Sequence, residues 1–188
     1  MATPFANDSA DGKVDIDAFL DMDFGGRKAE LDDGVIFMMA GGSMEHAGVA
    51  ANIIMTLGPK LRGTGCRPFG SDLAVQTGPR SIRYPDVSIF CRPHADDGDR
   101  NKLIGQPRAV FEVLSPSTML LDERTKVPEY QALADVQDIV LIDPDTRRVR
   151  HIRRTGPHGW SDQWVETGAI QLASVGLDLL LDDLFAQD

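Results

Sequence analysis

The sequence predicts an α/β protein of mixed (α+β) type, in which helices flank one central mixed β-sheet. Helix-type and strand-type patterns follow each other in the order helix, hairpin, helix, strands, helix, strands. A chain of 188 residues that is 42% hydrophobic can build one core of ordinary size, and no Gly-, Ser- or Pro-rich linker divides it. We therefore expect a flexible N-terminus over residues 1–14 and a single domain over residues 15–188.

The first third of the chain predicts a short helix, a hairpin and a long helix. The short helix is expected over residues 15–22. Asp33-Gly34 separates two strand-like runs, and this pair is typical of a two-residue type I′ turn, which predicts a hairpin over residues 27–40. Apolar residues recur with a 3.6-residue period over residues 44–61, and this predicts the long helix, with His46 on its inward stripe.

The rest of the chain predicts short strands around one further helix. Pro128 lies inside a helical pattern over residues 123–134, so the regular helix should begin near Val127, because proline fits a first turn but not an interior. The strand over residues 108–114 is nearly all apolar, which is typical of a buried strand. The other expected strands cover residues 72–76, 85–91, 139–142, 148–154 and 160–166, and an apolar segment closes the chain at residues 177–185.

Composition excludes several classes of protein. No apolar stretch reaches the ~18 to 20 residues that a membrane-spanning helix needs, and the first residues lack the pattern of a secretion signal. Two cysteines, Cys66 and Cys91, are too few for a secreted scaffold held by disulfides. We therefore expect a cytoplasmic, reducing location and no contact with a membrane.

The charge is unfavourable for a general nucleic-acid binder, since the formal net charge is −10. It is also uneven: residues 141–160 hold five arginines and only two acidic residues. The basic strand Arg147–Arg154 could follow a row of phosphates, or it could be a solvated edge strand that its charges protect from aggregation. Both interpretations stay open.

Two carboxylates stand at or in apolar strands. An ionised Glu112, within the most apolar strand, would cost several kcal/mol unless a cation or strong donors meet it. Asp86 follows Pro85 at the start of another apolar strand. Each has an ordinary alternative, a glutamate paired with an arginine at a strand end and an aspartate in a Pro-Asp turn.

Considered together, these carboxylates predict a metal site. If they converge at one edge of the sheet, they repel each other unless a metal ion or a proton lies between them. Oxygen ligands favour Mg²⁺ or Mn²⁺ over zinc, and such a site suits the hydrolysis of phosphodiester bonds. Lys126 could hold the attacking water and offset developing charge, or it could be a solvated lysine at a helix start.

Two further residues have equally open roles. His46 could lie beside the metal as a proton shuttle or a ligand of its water, or it could be a buried histidine of the core. Glu30 could complete the carboxylate cluster, or it could face solvent on the hairpin.

A longer motif resembles a known family. The string Glu112-Val-Leu-Ser-Pro-Ser-Thr118, followed by Asp122-Glu-Arg-Thr-Lys126 and Tyr130, resembles the signature of the Uma2 (DUF820) proteins. These are regarded as endonucleases of the PD-(D/E)xK, or restriction-endonuclease-like, superfamily. The further matches are Pro85-Asp86-Val87, Glu30–Gly34, Met38-Met39, His46, Asp143-Pro144 and Phe185, so that the resemblance spans about residues 16–186.

The resemblance implies a restriction-endonuclease-like core, roughly αβββαβ, that binds Mg²⁺ through Asp86, Glu112 and the carbonyl of Val113. The superfamily has a lysine two residues after the glutamate, but this chain has Leu114 at that position. The resemblance therefore implies that Lys126 takes the role of that lysine. The implied activity is that of a metal-dependent endonuclease acting on DNA. A homodimer would follow from the need for two sites to cut two strands.

Two other functions remain as alternatives. The net charge of −10 motivates a non-catalytic module for binding or assembly on the same fold. A glycosidase-like pair of carboxylates is disfavoured by Lys126 and by the lack of aromatic residues for sugar stacking.

Overall fold

A computed structural model describes residues 12–92, 106–116 and 118–187. Most of the expected flexible N-terminus, residues 1–11, lies outside these ranges. The helices are α1 (Ile16–Asp21), α2 (Met44–Leu61), α3 (Met119–Leu121), α4 (Val127–Ala132) and α5 (Leu181–Leu184), and a π-helical turn (Asp122–Lys126) joins α3 to α4. The strands are β1 (Ala29–Asp32), β2 (Val35–Met38), β3 (Cys66–Gly70), β4 (Val75–Gly78), β5 (Ser81–Arg83), β6 (Val87–Cys91), β7 (Ala109–Val113), β8 (Asp138–Asp143), β9 (Arg148–Arg154), β10 (Trp160–Val165), β11 (Ala169–Leu172) and β12 (Leu177–Leu180).

The main sheet has six strands in the order β10-β9-β8-β7-β6-β3. Strands β7 and β8 are parallel and the other pairs are antiparallel, which confirms the expected mixed sheet. Helix α2 packs on one face, against Phe111 and Val113 of β7. Helix α4 packs on the other face, where Tyr130 contacts the cluster that contains Val110 and Leu114. The central strand β7 is therefore covered on both faces, which explains its nearly all-apolar sequence.

A smaller sheet carries the hairpin. Its four strands have the order β2-β1-β5-β4. Asp33 and Gly34 connect β1 to β2 with φ angles of 42° and 80°, so the type I′ turn predicted from Asp-Gly is confirmed. Phe19 of α1 packs with Leu31 and Ile82 on this sheet. The hairpin sheet thus has a small core of its own.

Several elements differ from the sequence prediction. The strand expected over residues 72–76 begins at Val75 and continues to Gly78. Strand β3 was not predicted, because Pro68 and Gly70 interrupt the pattern of a strand of only five residues. The short strands β5, β11 and β12 were also missed, and β11 and β12 form a separate two-stranded sheet.

The cysteines also differ from expectation. Cys66 of β3 and Cys91 of β6 are direct partners in the antiparallel register, and they form a disulfide. The reducing environment expected from the cysteine count therefore gains no support from the structure. Within the described ranges, no helix combines the length and the apolar character needed to traverse a bilayer.

Candidate active site

Lys126 lies at the centre of a buried carboxylate cluster. Its Nζ is 3.1 Å from Glu30 Oε1, 3.1 Å from Asp122 Oδ1 and 3.3 Å from Glu112 Oε1. All four side chains are at most 6% exposed. An ammonium group has three donors, so the three carboxylates can occupy all of them. The lysine is thus not the solvated helix-start residue of the alternative interpretation.

A π-helical turn places Lys126 in this cluster. Pro128 has no N–H to donate to the carbonyl of Arg124, and its ring would clash there in a regular α-helix. The chain instead forms a wider turn in which the N–H of Val127 donates to the carbonyl of Asp122. Turns of this type are frequent at functional sites. Asp122 and Lys126 are its first and last residues, and both are buried.

Glu112 reaches the cluster from β7. Side chains alternate along a strand, so Glu112 lies on the same face as Val110 and Leu114, the face covered by α4. Its Oε1 also accepts a hydrogen bond of 2.6 Å from the hydroxyl of Tyr130. Burial raises the pKa of Glu112 to about 8, with Lys126 acting in the opposite direction. Burial likewise raises the pKa of Tyr130, so its hydroxyl remains a donor.

Asp86 and His46 form the second part of the site. Asp86 Oδ2 accepts a 2.7 Å hydrogen bond from the N–H of Val113, the residue after Glu112. His46 Nε2 lies 3.2 Å from the same oxygen. The hydrogen bond to Asp86 raises the pKa of His46, and a backbone hydrogen bond to Val113 acts in the same direction. His46 therefore contacts two of the groups that the resemblance predicts as metal ligands, the Asp86 carboxylate and the Val113 backbone.

A fully buried arginine connects this site to the hairpin sheet. The Arg83 guanidinium donates to Glu129 at 2.7 and 2.8 Å and to Asp32 at 2.9 Å. It also lies 3.5 Å from Glu30 Oε2. Arg83 therefore connects β1 to α4. Strand β1 carries Glu30, and α4 begins directly after Lys126. Burial alone would lower the pKa of Arg83, but the surrounding carboxylates raise it, so it stays charged.

A pocket of about 310 Å³ brings the predicted residues together. It is lined by Asp86, Glu112, Val113, Lys126 and His46, and also by Glu30 and Asp122. The structure thus brings Asp86 and Glu112 to one pocket and pairs neither with an arginine from the described part of the chain. No three His, Cys, Asp or Glu side chains of the described residues are spaced as metal ligands.

The residues present nevertheless fit a hard divalent cation. Four carboxylates line the pocket, against one lysine and one histidine. Asp86 Oδ1 and Glu112 Oε2 have no hydrogen-bond partner within the described ranges, because every contact falls on the other oxygen of each group. Mg²⁺ commonly takes one or two protein carboxylates and completes its shell with water and substrate. Two carboxylates and the carbonyl of Val113 match that donor set.

Sequence reasoning missed part of the site. Arg83 and Glu129 were not singled out, although a charged residue in the strand Ser81–Arg83, just before Tyr84-Pro85-Asp86, was a usable signal. Tyr130 and Asp122 were seen only as parts of a motif. Their contacts to Glu112 and Lys126 depend on the turn geometry, which the sequence does not display.

A family model described as "Putative restriction endonuclease" matches residues 16–181. This model is that of Uma2. The chain belongs to the Uma2 family. The match covers both the hairpin sheet and the main sheet, so it includes every residue of the site described above. The resemblance inferred from the Glu112–Lys126 motif is thereby confirmed.

Similar proteins extend this result. Two uncharacterized proteins of Synechocystis sp. are 29% and 27% identical to this Uma2 chain; the alignments cover 84% and 71% of this chain and 83% and 76% of those proteins. The crystal structure of "a putative nuclease belonging to DUF820" from Anabaena variabilis matches with a TM-score of 0.72 at 22% identity, and covers 92% of this chain and 97% of that one. This likeness confirms the expected nuclease-like fold.

Proposed function

We propose that this Uma2 protein is a metal-dependent endonuclease that hydrolyses DNA phosphodiester bonds. The observation that carries the proposal is the pocket in which Asp86 and Glu112 each keep one oxygen without a partner among the described residues. Family membership supports a nuclease as the general class. The finer statements, which are DNA as the substrate and Mg²⁺ or Mn²⁺ as the ion, rest on the chemistry of the pocket.

Asp86, Glu112 and the carbonyl of Val113 would hold the ion. A divalent cation at such a site lowers the pKa of a bound water and stabilises charge on a phosphoryl oxygen. The chain's own residues prepare the pocket for it. Tyr130 and Lys126 orient Glu112 through its Oε1, and the N–H of Val113 and His46 orient Asp86 through its Oδ2. Lys126 also offsets part of the excess negative charge.

The alternative of a non-catalytic module has one observation in its favour. Three carboxylates lie within 3.3 Å of Lys126 Nζ, so an attacking water could contact this ammonium group only if the cluster rearranges. Calorimetry with Mn²⁺ separates the two functions. Heat of binding that is lost in Asp86→Asn supports the metal site, whereas no heat at millimolar Mn²⁺ supports the non-catalytic module.

Plasmid nicking tests the activity itself. We expect supercoiled plasmid to be nicked in Mg²⁺ or Mn²⁺ but not in EDTA. Glu112→Gln should reduce the rate about 100-fold or more, the scale expected when one charge-stabilising group is removed from a reaction centre. Glu166→Gln is the matched control, because this carboxylate is 65% exposed and pairs with Arg148 away from the pocket. Equal nicking by wild type and Glu112→Gln would contradict the proposal.

Two further properties belong to the proposal. A homodimer would place two sites on the two strands of a duplex, and sedimentation of the purified protein at several concentrations tests it. A cytoplasmic location is where such a nuclease would meet DNA, and it stays a prediction.

A further inference from the structure

The site pocket continues into a second depression, which we call the α2 groove. It has a volume of about 690 Å³ and is bordered by Arg27, Lys28 and one side of α2. The residues common to the pocket and the groove are Met39, Ala40, Gly41, Gly42, His46 and Asp86. A molecule bound at Asp86 can therefore extend into the groove without leaving the surface.

The walls of the α2 groove leave room for a polymer backbone. Helix α2 contributes the small side chains Ala47, Ala50 and Ala51. A Cβ added at Gly41 would meet no atom within 4 Å, so this wall is open. No bulky side chain from this stretch of α2 closes the groove before Ile54.

Two cations also line the groove, and they differ in their partners. Lys28 Nζ is 2.7 Å from Asp72 Oδ1 and donates to Ser71 Oγ at 2.8 Å, so its charge is already compensated. The Arg27 side chain is exposed and has no ion pair or hydrogen bond with any described residue. It therefore presents an uncompensated positive charge in a protein whose net charge is −10.

The residues that line the site pocket but not the groove have a different character. Phe37 and Met38 line it and are 50% and 43% exposed. Lys126 is the sole lysine or arginine of the described residues that line the pocket, and three carboxylates surround its ammonium group. Among the described residues that line the pocket or the α2 groove, Arg27 is therefore the cation that has no carboxylate partner.

The arginine-rich strand β9 does not compete for this role. Arg148 pairs with Glu166 at 3.1 Å, and Arg150 pairs with Asp162 at 2.6 Å. Arg154 donates to main-chain carbonyls, including that of Leu133 at 2.8 Å. These three arginines, which share one face of the strand, therefore already have partners in the protein, Arg148 and Arg150 at the surface and Arg154 on the main chain.

We infer that the α2 groove holds the sugar-phosphate backbone next to the bond that is cut, and that Arg27 contacts one of its phosphates. The inference rests on the proposed function and deepens it by naming the surface that binds the DNA strand. Guanidinium suits the contact, because its planar donors match two phosphate oxygens at once. Such a contact would add affinity without sequence preference.

Binding of fluorescein-labelled DNA tests the inference without requiring cleavage. Anisotropy titrations in Ca²⁺, a hard cation with the same oxygen ligands as Mg²⁺, would compare wild type, Arg27→Ala and Arg62→Ala on single-stranded and duplex oligonucleotides. Arg62 is the matched control, since it is exposed at the C-terminal end of α2 and lines neither the pocket nor the groove. Circular dichroism would verify that all three proteins are folded.

We expect Arg27→Ala to weaken binding about fivefold and to reduce the slope of log K against log salt by about 0.7 for single strands or 0.9 for duplex. Arg62→Ala should bind as wild type does. An unchanged affinity and slope in Arg27→Ala, equal losses in both variants, or no DNA binding by wild type would each overturn the inference. Plasmid nicking by the wild type is measured separately. If plasmid is nicked but neither binding nor nicking depends on Arg27, only the inference about the groove is overturned. If DNA binding depends on Arg27 but no nicking occurs, only the proposed hydrolysis is overturned.

Discussion

Charged side chains are concentrated in two regions of this protein, and the regions differ in burial. Around Lys126, three carboxylates and one ammonium group are almost completely removed from solvent. Between β9 and β10, Arg148 and Arg150 pair with carboxylates that are 65% and 45% exposed. Water screens the second set of pairs but not the first. The dense run of arginines in the sequence is thus less informative than the few charges that the fold buries.

The same contrast appears in the titration of the two regions. Burial raises the pKa of Glu112 to about 8, so this carboxyl keeps its proton where an ordinary glutamate is ionised. For Arg150, the hydrogen bond to Asp162 raises the pKa of a group that is charged in any case. Only the buried cluster therefore holds a group whose charge state the fold changes near neutral pH.

The largest effect is expected for Lys126→Ala. It would leave Glu30 and Asp122 buried without their shared cation and would remove one hydrogen-bond donor of Glu112, which should lower the free energy of unfolding by about 3–5 kcal/mol. Urea denaturation in EDTA, followed by circular dichroism, measures this. Lys60→Ala, at the exposed end of α2, is the control for loss of a lysine. A loss below about 1 kcal/mol for Lys126→Ala would show that the cluster behaves like a surface ion pair.

Next is a dependence of stability on pH. Glu112 binds its proton more tightly in the folded protein than in the unfolded chain, so its contribution is complete below pH 4.5 and is lost as the pH rises through about 8. In EDTA, the free energy of unfolding should fall between pH 4.5 and pH 8 with a slope that approaches about 1.4 kcal/mol per pH unit, the value for a difference of one bound proton. His46, whose pKa is also raised, acts in the same direction. Glu112→Gln should flatten the profile, and an identical profile would contradict the pKa shift.

A smaller effect is expected for Tyr130→Phe. The change deletes the hydroxyl that donates to Glu112 at 2.6 Å and keeps the ring in the core. Stability should fall by about 1–3 kcal/mol, since a buried acceptor loses its donor. Tyr84→Phe provides a comparison for loss of a tyrosine hydroxyl from a half-buried ring. Thermal unfolding of both variants makes the comparison, and an equal loss in both would contradict a specific role for the Tyr130 hydroxyl.

The smallest effect is expected for Arg150→Ala. Its pair with Asp162 is partly exposed, so the loss should stay below about 1 kcal/mol and shrink further at high salt. Urea denaturation at low and high salt measures both quantities. A loss as large as that of Lys126→Ala would remove the distinction between the two regions.

Local sequence rules predicted the elements whose signals are local. The Asp33-Gly34 turn needs two residues with positive φ, and the structure has them at 42° and 80°. Helix α2 has the predicted bounds, Met44–Leu61, because Ser43 caps it and its apolar period is regular. Pro128 correctly indicated where α4 begins, but not the π-helical turn before it. Strand β3 escaped prediction because five residues that include a proline and a glycine carry almost no pattern.

The sequence by itself determined that Glu112 lies in an apolar strand, that Asp86 starts another such strand and that Lys126 belongs to the motif that begins at Glu112, since residue type and spacing are properties of the chain. Only the tertiary structure decided that Glu30, Asp122 and Tyr130 surround these residues and that Arg83 braces them. Those partners come from four separate elements. Their meeting depends on strand register and on a helical turn widened by Pro128, which short-range patterns do not encode.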